Sequence, residues 1–294
     1  MTMHRFVLLL LLHFSFMLAP RLAAAPLDLK FASYNIRYEN YEDQGWRAWP
    51  TRLQRLIATI RTMEPDVMGV QEALHSQVAD MCLSLPDYEF YGFGRDDGKT
   101  KGEYAGIFFK KARFQADGSD AGMFWLSATP EKPGSMTWGN QIPRVATWLH
   151  LRDRQTQRGF TVYNSHWDHM HQGSRVESAK LIAQRIDTRK NRIEPVVLLG
   201  DFNATEGNNA VDYLAGRSKA WANTLLDPYH QLYPKVSARR TLHFWRNNKD
   251  GWAKVDHILV SPPVQVKKAA IIYAPDGKTP ASDHYPVSAH IVWP

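Results

Sequence analysis

The chain has 294 residues, 44% of them hydrophobic and 22% charged, which is enough apolar content to bury a sizeable core and excludes a disordered chain. Its single cysteine, Cys82, excludes an intrachain disulfide, so stability must come from packing. The net charge of +7 suits an anionic partner such as a nucleic acid, a phosphorylated sugar or a lipid head group, and equally suits a solvated basic surface.

Residues 1–25 read as a secretory signal. Arg5 gives a short positive region, Phe6 to Leu12 and Met17-Leu18-Ala19 an apolar one, and Ala23-Ala24-Ala25 small residues for cleavage. The segment holds Arg5 and Arg21 and no acid, so its removal leaves +5 and points to an exported, periplasmic or secreted protein, with a retained N-terminal anchor as the alternative to cleavage. The remainder, 26–294, shows no linker, repeat or composition shift and reads as one domain.

Leu27 to Asn35 alternates and then runs apolar, a strand. Tyr38 to Trp49 is an aromatic, polar loop; Pro50 opens a helix on Leu53, Leu56, Ile57 and Ile60. Val67 to Glu72 is a second strand and His75 to Leu83 a short helix. Glu89 to Gly94, Tyr104 to Phe109 and Arg113 to Gln115 read as strands, and Thr129 to Asn140 as a loop. Val145 to Leu151 and Phe160 to Ser165 form a hairpin, followed by an amphipathic helix over Ser174 to Arg189. Val196-Val197-Leu198-Leu199 is the clearest buried strand and runs into Gly200-Asp201-Phe202-Asn203. If that backbone stays extended, Asp201 and Asn203 share a side; a polar turn fits the same residues. Asn208 to Leu214 is a short helix, Pro228 to Arg240 irregular, and Val255 to Val260, Val264 to Tyr273 and Val287 to Val292 are strands. Strands paired both with and without intervening helices predict an α/β sandwich: two mixed sheets face to face, helices on both outer sides.

The chemistry-bearing residues gather at strand ends, where ligand sites form. They are Asn35, Glu72, Glu103, the run Asn164-Ser165-His166-Trp167-Asp168, Asp201 with Asn203, Asp256-His257, and Ser282-Asp283-His284. Carboxylates and amides without a Cys cluster or HExxH motif are hard oxygen donors that suit Mg²⁺ or Mn²⁺ rather than structural zinc. Histidines beside carboxylates suit proton transfer or contact with an anionic oxygen. Together they supply what water attack on phosphorus requires.

In that order these motifs resemble those of the endonuclease/exonuclease/phosphatase superfamily, over nearly all of 27–294. The resemblance implies Glu72 as principal Mg²⁺ ligand, with Asn35 beside it and Asp283 sharing. It implies Asp201 as the group that orients or deprotonates water, and Asn203 as holder of a phosphate oxygen. His284 would contact the scissile phosphate, oriented by Asp256, and His166 would be the second histidine with Glu103 as its carboxylate partner. Asn164 and Asp168 are expected to face substrate, Asp168 equally to orient its loop, and Arg144 to reach an anionic substrate or make a surface ion pair. His257 stands where an aromatic is usual and receives no role. His166 brings the chain closer to the DNase I-like, phosphatase and exported bacterial branches than to abasic-site endonucleases.

The resulting expectation is an exported, Mg²⁺-dependent phosphoester hydrolase, first a phosphodiesterase, acting by one-step in-line water attack. The alternatives are a hydrolase of phospholipid head groups or of sugar and inositol phosphates, and a non-catalytic binding protein on the same scaffold. No nucleophile elbow for a serine and no GxxxxGK[ST] loop is present.

Overall fold

The computed structural model describes residues 25–294 except 236–238, 252 and 275–277, so the expected leader lies outside the described residues but for Ala25. One sheet has six strands, β1 (Leu27–Asn35), β2 (Val67–Ala73), β3 (Tyr88–Tyr91), β4 (Tyr104–Lys110), β10 (Gln265–Ile271) and β11 (Val287–Trp293), in the order β10-β11-β1-β2-β4-β3. The other has five in chain order, β5 (Phe114–Trp125), β6 (Val145–Asp153), β7 (Gly159–His166), β8 (Val196–Asp201) and β9 (Asp256–Val260). Each sheet holds one parallel pair, β1–β2 and β7–β8, and each pair is joined through a helix, α1 (Trp49–Met63) or α3 (Gln172–Thr188). A parallel pair needs such a crossover, whereas antiparallel β6 and β7 close directly as a hairpin.

Side-chain alternation then sorts the residues into layers. Between the sheets, Phe31, Val67 and Ile107 pack with Val162, Val197, Leu199 and Ile258. On the outer face of the six-stranded sheet, α1 and α2 (His75–Ser84) bury Leu56, Ile60 and Met81 against Tyr34, Met68 and Phe108. On the far face of the five-stranded sheet, α3 and α4 (Asn209–Leu214) bury Ile182, Ile186 and Val211 against Tyr163, Leu198 and Leu259. The architecture is therefore the expected four-layer sandwich. Among the described residues no helix is long and apolar enough to cross a membrane.

Two elements differ from expectation. The strand expected to stop at Gln115 continues to Trp125, with a register shift between Asp117 and Ala121. It is the edge strand of its sheet, so its polar middle faces water and breaks the apolar pattern that marks a buried strand. The stretch from Pro228, expected to be irregular, begins as a five-residue helix α5 (Pro228–Leu232), where the Asp227 side chain accepts from Tyr229 and His230 N–H and Pro228 supplies the first turn.

Asn164 is corrected by the fold. It is fully buried between the sheets: its amide donates to the carbonyls of Val70 (2.9 Å) and Gly106 (2.7 Å), and its Oδ1 accepts from Gln71 Nε2 (2.7 Å). Every polar atom is used in tying β7 to β2 and β4, so none is left for substrate. The contact needs Gly69, because a Cβ there would stand 2.6 Å from Asn164 Oδ1.

Candidate active site

The register of the five-stranded sheet sets out the site. Residue His166 pairs with Asp201 across the parallel β7–β8 ladder, and Asp201 pairs with Asp256 across β8–β9. The three therefore lie in one row, at the ends of β7 and β8 and the start of β9, on the face turned toward the other sheet. There they meet Asn35 and Glu72, from the parallel pair β1–β2.

Asp201 is the centre. Its Oδ2 accepts from Asn35 Nδ2 at 3.0 Å and lies 3.7 Å from His166 Nε2 and 3.8 Å from His284 Nε2. Its Oδ1 accepts from Asn203 N–H at 2.9 Å. Burial, then repulsion from Asp256, pushes its carboxyl up to about 7, against the pull of His284 and these hydrogen bonds. His284 shows the opposite balance. Burial alone would lower it, but Asp256, 2.8 Å from Nδ1, and Asp201 outweigh this and hold it well above the ordinary histidine value. It is an imidazolium whose Nδ1–H is committed to Asp256 and whose Nε2–H faces Asp201.

His166 is neutral: burial and the nearby Arg144 and Arg95 push it well below the usual range. An amide nitrogen only donates, so Asn203 Nδ2, 3.1 Å away, places the lone pair on Nε2 and the proton on Nδ1. Nδ1 has no hydrogen-bond partner and lies 3.9 Å from Glu103 Oε2. Glu103 thus approaches His166 as expected, but its two oxygens are held by Arg95 at 2.6 and 2.8 Å.

Other expected roles are revised by the geometry. Asn203 does not continue the strand: its φ of 47° is left-handed, so the expected alternation with Asp201 ends there. Its amide hydrogens go to His166 and to the Trp167 carbonyl (3.0 Å) rather than toward an open phosphate position. Asn35 turns its nitrogen, not its oxygen, to Glu72 (2.9 Å) and Asp201, because Oδ1 accepts from Arg37 N–H at 3.0 Å; it bridges two carboxylates. Asp283 stands to one side, 4.0 Å from Arg37 Nη1. Asp168 is buried and caps its own loop, accepting from Met170 and His171 N–H, so the loop-orienting alternative holds over substrate contact. Arg144 is buried and its ion pair is internal rather than on the surface: Nε lies 4.0 Å from Asp168 Oδ2, Nη2 meets His169 Nδ1 at 3.0 Å, and Nη1 has no hydrogen-bond partner.

Three further residues escape sequence patterns. Arg37 bonds Asp43 at 3.1 Å beside Asp283, Arg95 holds Glu103, and buried Arg52 donates to the carbonyls of Ile36 and Arg37, fixing the loop after Asn35. Arg52 sits on the buried helical stripe with Leu56, a polar residue at a core position, which is the signal that could have found it.

Glu72, Asp201 and His284 offer ligand atoms all within 4.8 Å of one another, a span that one cation or one phosphoryl group fills. Two carboxylates with hard oxygens fit a divalent cation that keeps waters. His284 Nδ1 is committed to Asp256, so Nε2 is the ring atom it turns toward this group. Glu72 is aimed here by a β-bulge: the β2–β4 register shifts between Val70 and Ala73, and Glu72 has φ 62°. Without a cation the crowded carboxylates cost stability. As pH rises from about 4 to 7, unfolded Asp201 ionises while the folded form stays protonated, so metal-free protein loses stability over that window. Thermal melts in EDTA are expected to show the Tm of Asp201→Asn relative to wild type rising by several degrees from pH 4 to 7, from a baseline lowered because the new amide nitrogen faces the donor Asn35 Nδ2, and Mg²⁺ flattening that rise; a difference independent of pH would contradict the raised carboxyl.

Comparison with family models matches residues 32–284 to the endonuclease/exonuclease/phosphatase family. No curated protein matches. Among solved structures, an endonuclease/exonuclease/phosphatase from Bacteroides vulgatus is 34% identical, with 90% of this chain and 98% of that one covered and a TM-score of 0.81. A family protein from Bacteroides thetaiotaomicron is 31% identical, with coverage of 92% and 99% and a TM-score of 0.82. A mannosyl-6-phosphatase from the same organism is also 31% identical, with coverage of 90% and 100% and a TM-score of 0.80. The chain belongs to the endonuclease/exonuclease/phosphatase family and is a metal-dependent phosphoester hydrolase.

Proposed function

We propose that the chain hydrolyses phosphate monoesters of sugars by one-step, in-line attack of water, with Mg²⁺ or Mn²⁺ as cofactor, and that it is exported on its leader-like first 25 residues. The observation that carries the mechanism is Asp201 Oδ2, set between two imidazoles and facing Glu72 within one phosphoryl span. A cation held by Glu72 would neutralise charge on the phosphoryl oxygens. Asp201 takes a proton from the attacking water as the new P–O bond forms and the bond to the sugar oxygen breaks, and that oxygen takes up a proton from solvent to leave as the alcohol. His284 donates Nε2–H to a non-bridging oxygen, its charge sustained by Asp256. Asn203 keeps His166 in one tautomer at the edge of the same space.

A monoester dianion needs more positive charge than a diester. The buried Arg144, whose Nη1 has no hydrogen-bond partner, supports that reading, as does the 31% identity to a mannosyl-6-phosphatase over its full length. The phosphodiesterase expected from the sequence stands second, favoured by the +7 charge and by the Trp46–Trp245 edge-to-face pair in the loops after β1 and before β9.

The test is a substrate panel on purified protein with Mg²⁺ or EDTA: hexose 6-phosphates, inositol phosphates, sphingomyelin, plasmid DNA, RNA and bis(p-nitrophenyl) phosphate. Phosphate release from hexose phosphates at least about tenfold above any diester, abolished by EDTA, is expected. Salt-sensitive DNA or RNA cleavage without phosphate release would favour the second reading, and no hydrolysis of any member would overturn both.

A further inference from the structure

The three strand ends that carry His166, Asp201 and Asp256 each carry a ring at the next position, on the opposite face of the sheet. These rings, Trp167, Phe202 and His257, stack. Trp167 and Phe202 have centroids 4.2 Å apart and planes 11° apart; Phe202 and His257 are 5.0 Å and 12° apart. All three are fully buried, the first two in the cluster beneath α3 and α4. We infer that Trp167, Phe202 and His257 form a ring column that sets the spacing of the catalytic row, and that Phe202, its middle member, is a positioning residue for the hydrolysis proposed above.

The column is anchored at its far end. A lysine only donates, so Lys254 Nζ, 3.1 Å from His257 Nδ1, leaves the His257 proton on Nε2. That proton is donated to the Ala204 carbonyl at 2.9 Å, one residue past Asn203. Lys254 is in turn held by Asp227 at 2.8 Å, with both side chains buried. At the near end, Asn203 donates to the Trp167 carbonyl, closing the loop after β8 onto the end of β7. The left-handed Asn203 is therefore clamped on both sides: through Trp167 and through His257 by way of Ala204. Sideways movement of Phe202 carries Asp201 with it on the opposite face, and the 3.0 Å contact of Asp201 with Asn35 is the first it would lose. The column also accounts for His257, a flat ring that both stacks and bonds the backbone. A leucine at 202 would fill much of the volume but leave the outer rings without a planar partner.

The inference rests on the hydrolase reading for its kinetic arm and is tested apart from it by a structural arm. Phe202→Leu is expected to lower kcat by about 10- to 100-fold with KM within about threefold, since a misplacement near 1 Å costs about a hundredfold. His257→Leu should show the same kcat loss, and His257→Phe, which restores the ring but not the bond to the Ala204 carbonyl, should recover part of it; this pair decides the matter if Phe202→Leu does not fold. A crystal structure of a folded ring-less variant should show the Asp201–Asn35 contact opened. A lowered Tm with wild-type kcat, equal losses in His257→Phe and His257→Leu, or unmoved Asp201 contacts in that structure would overturn the positioning role. Wild-type protein inactive on every phosphoester would instead sink the hydrolase reading, and the crystal structure would still test the column.

Discussion

Asp201→Asn is expected to cut kcat on the best monoester by about a thousandfold, within the range for losing a positioned proton acceptor. The substitution is nearly isosteric, and the amide oxygen can still accept from the Asn203 N–H now 2.9 Å from Oδ1. What disappears is the basic oxygen between His166 and His284. Asp201 is well suited to proton transfer, since burial and Asp256 raise it to about 7 while His284 supplies the compensating charge. A cation at Glu72 adds positive charge nearby and lowers that value, so the acid limb of the kcat/KM profile should fall below 7. The alkaline limb belongs to His284, whose raised value keeps it protonated through neutrality and whose loss of the proton at higher pH removes the charge facing the phosphate. In Asp201→Asn the acid limb should vanish while the alkaline limb remains. Wild-type turnover in this variant, or an unchanged acid limb, would rule out Asp201 as the proton acceptor. KM should change little, because the phosphate keeps His284 and the cation.

Much of this arrangement is legible in the chain before any fold is known, and the exceptions are instructive. Val196 to Leu199 and the apolar part of β7 announce buried strands because periodicity reports which faces leave water. Polar residues closing such strands then mark the site, and Asp201, His166, Asp256 and His284 do meet. Periodicity carries no information about what lies across the sandwich. Asn164 sits on the same inward face as His166, yet two residues earlier it is under the other sheet, where the missing Cβ of Gly69 admits it. Backbone departures are equally hidden. The bulge that aims Glu72 and the left-handed turn at Asn203 depend on ladder partners far along the chain, and neither position is a glycine that would have advertised it. Charge pairing across a loop is the third gap: Arg95 reaches Glu103 eight residues on, so a carboxylate expected to serve His166 alone is shared.

Glu72→Gln is expected to act on the metal rather than on the chemistry. Glu72 is the most solvent-open carboxylate of the group, held by Asn35 Nδ2 at 2.9 Å and the Tyr38 N–H at 3.3 Å, so its oxygens are oriented yet reachable by an ion that keeps its waters. The glutamine amide oxygen can accept from Asn35, and the bulged backbone does not depend on the charge, so fold and melting in EDTA should stay close to wild type. The Mg²⁺ concentration for half-activity should rise by at least about tenfold, because one of two nearby carboxylates no longer offsets the ion's charge. At saturating Mg²⁺ much of kcat should return, which separates this variant from Asp201→Asn, where added metal restores nothing. The Mg²⁺-induced rise in Tm gives a readout independent of turnover and should weaken in parallel. If half-activation and the Tm response are both unchanged, the cation is held elsewhere. Asp283, 4.0 Å from Arg37, is then the next carboxylate to replace.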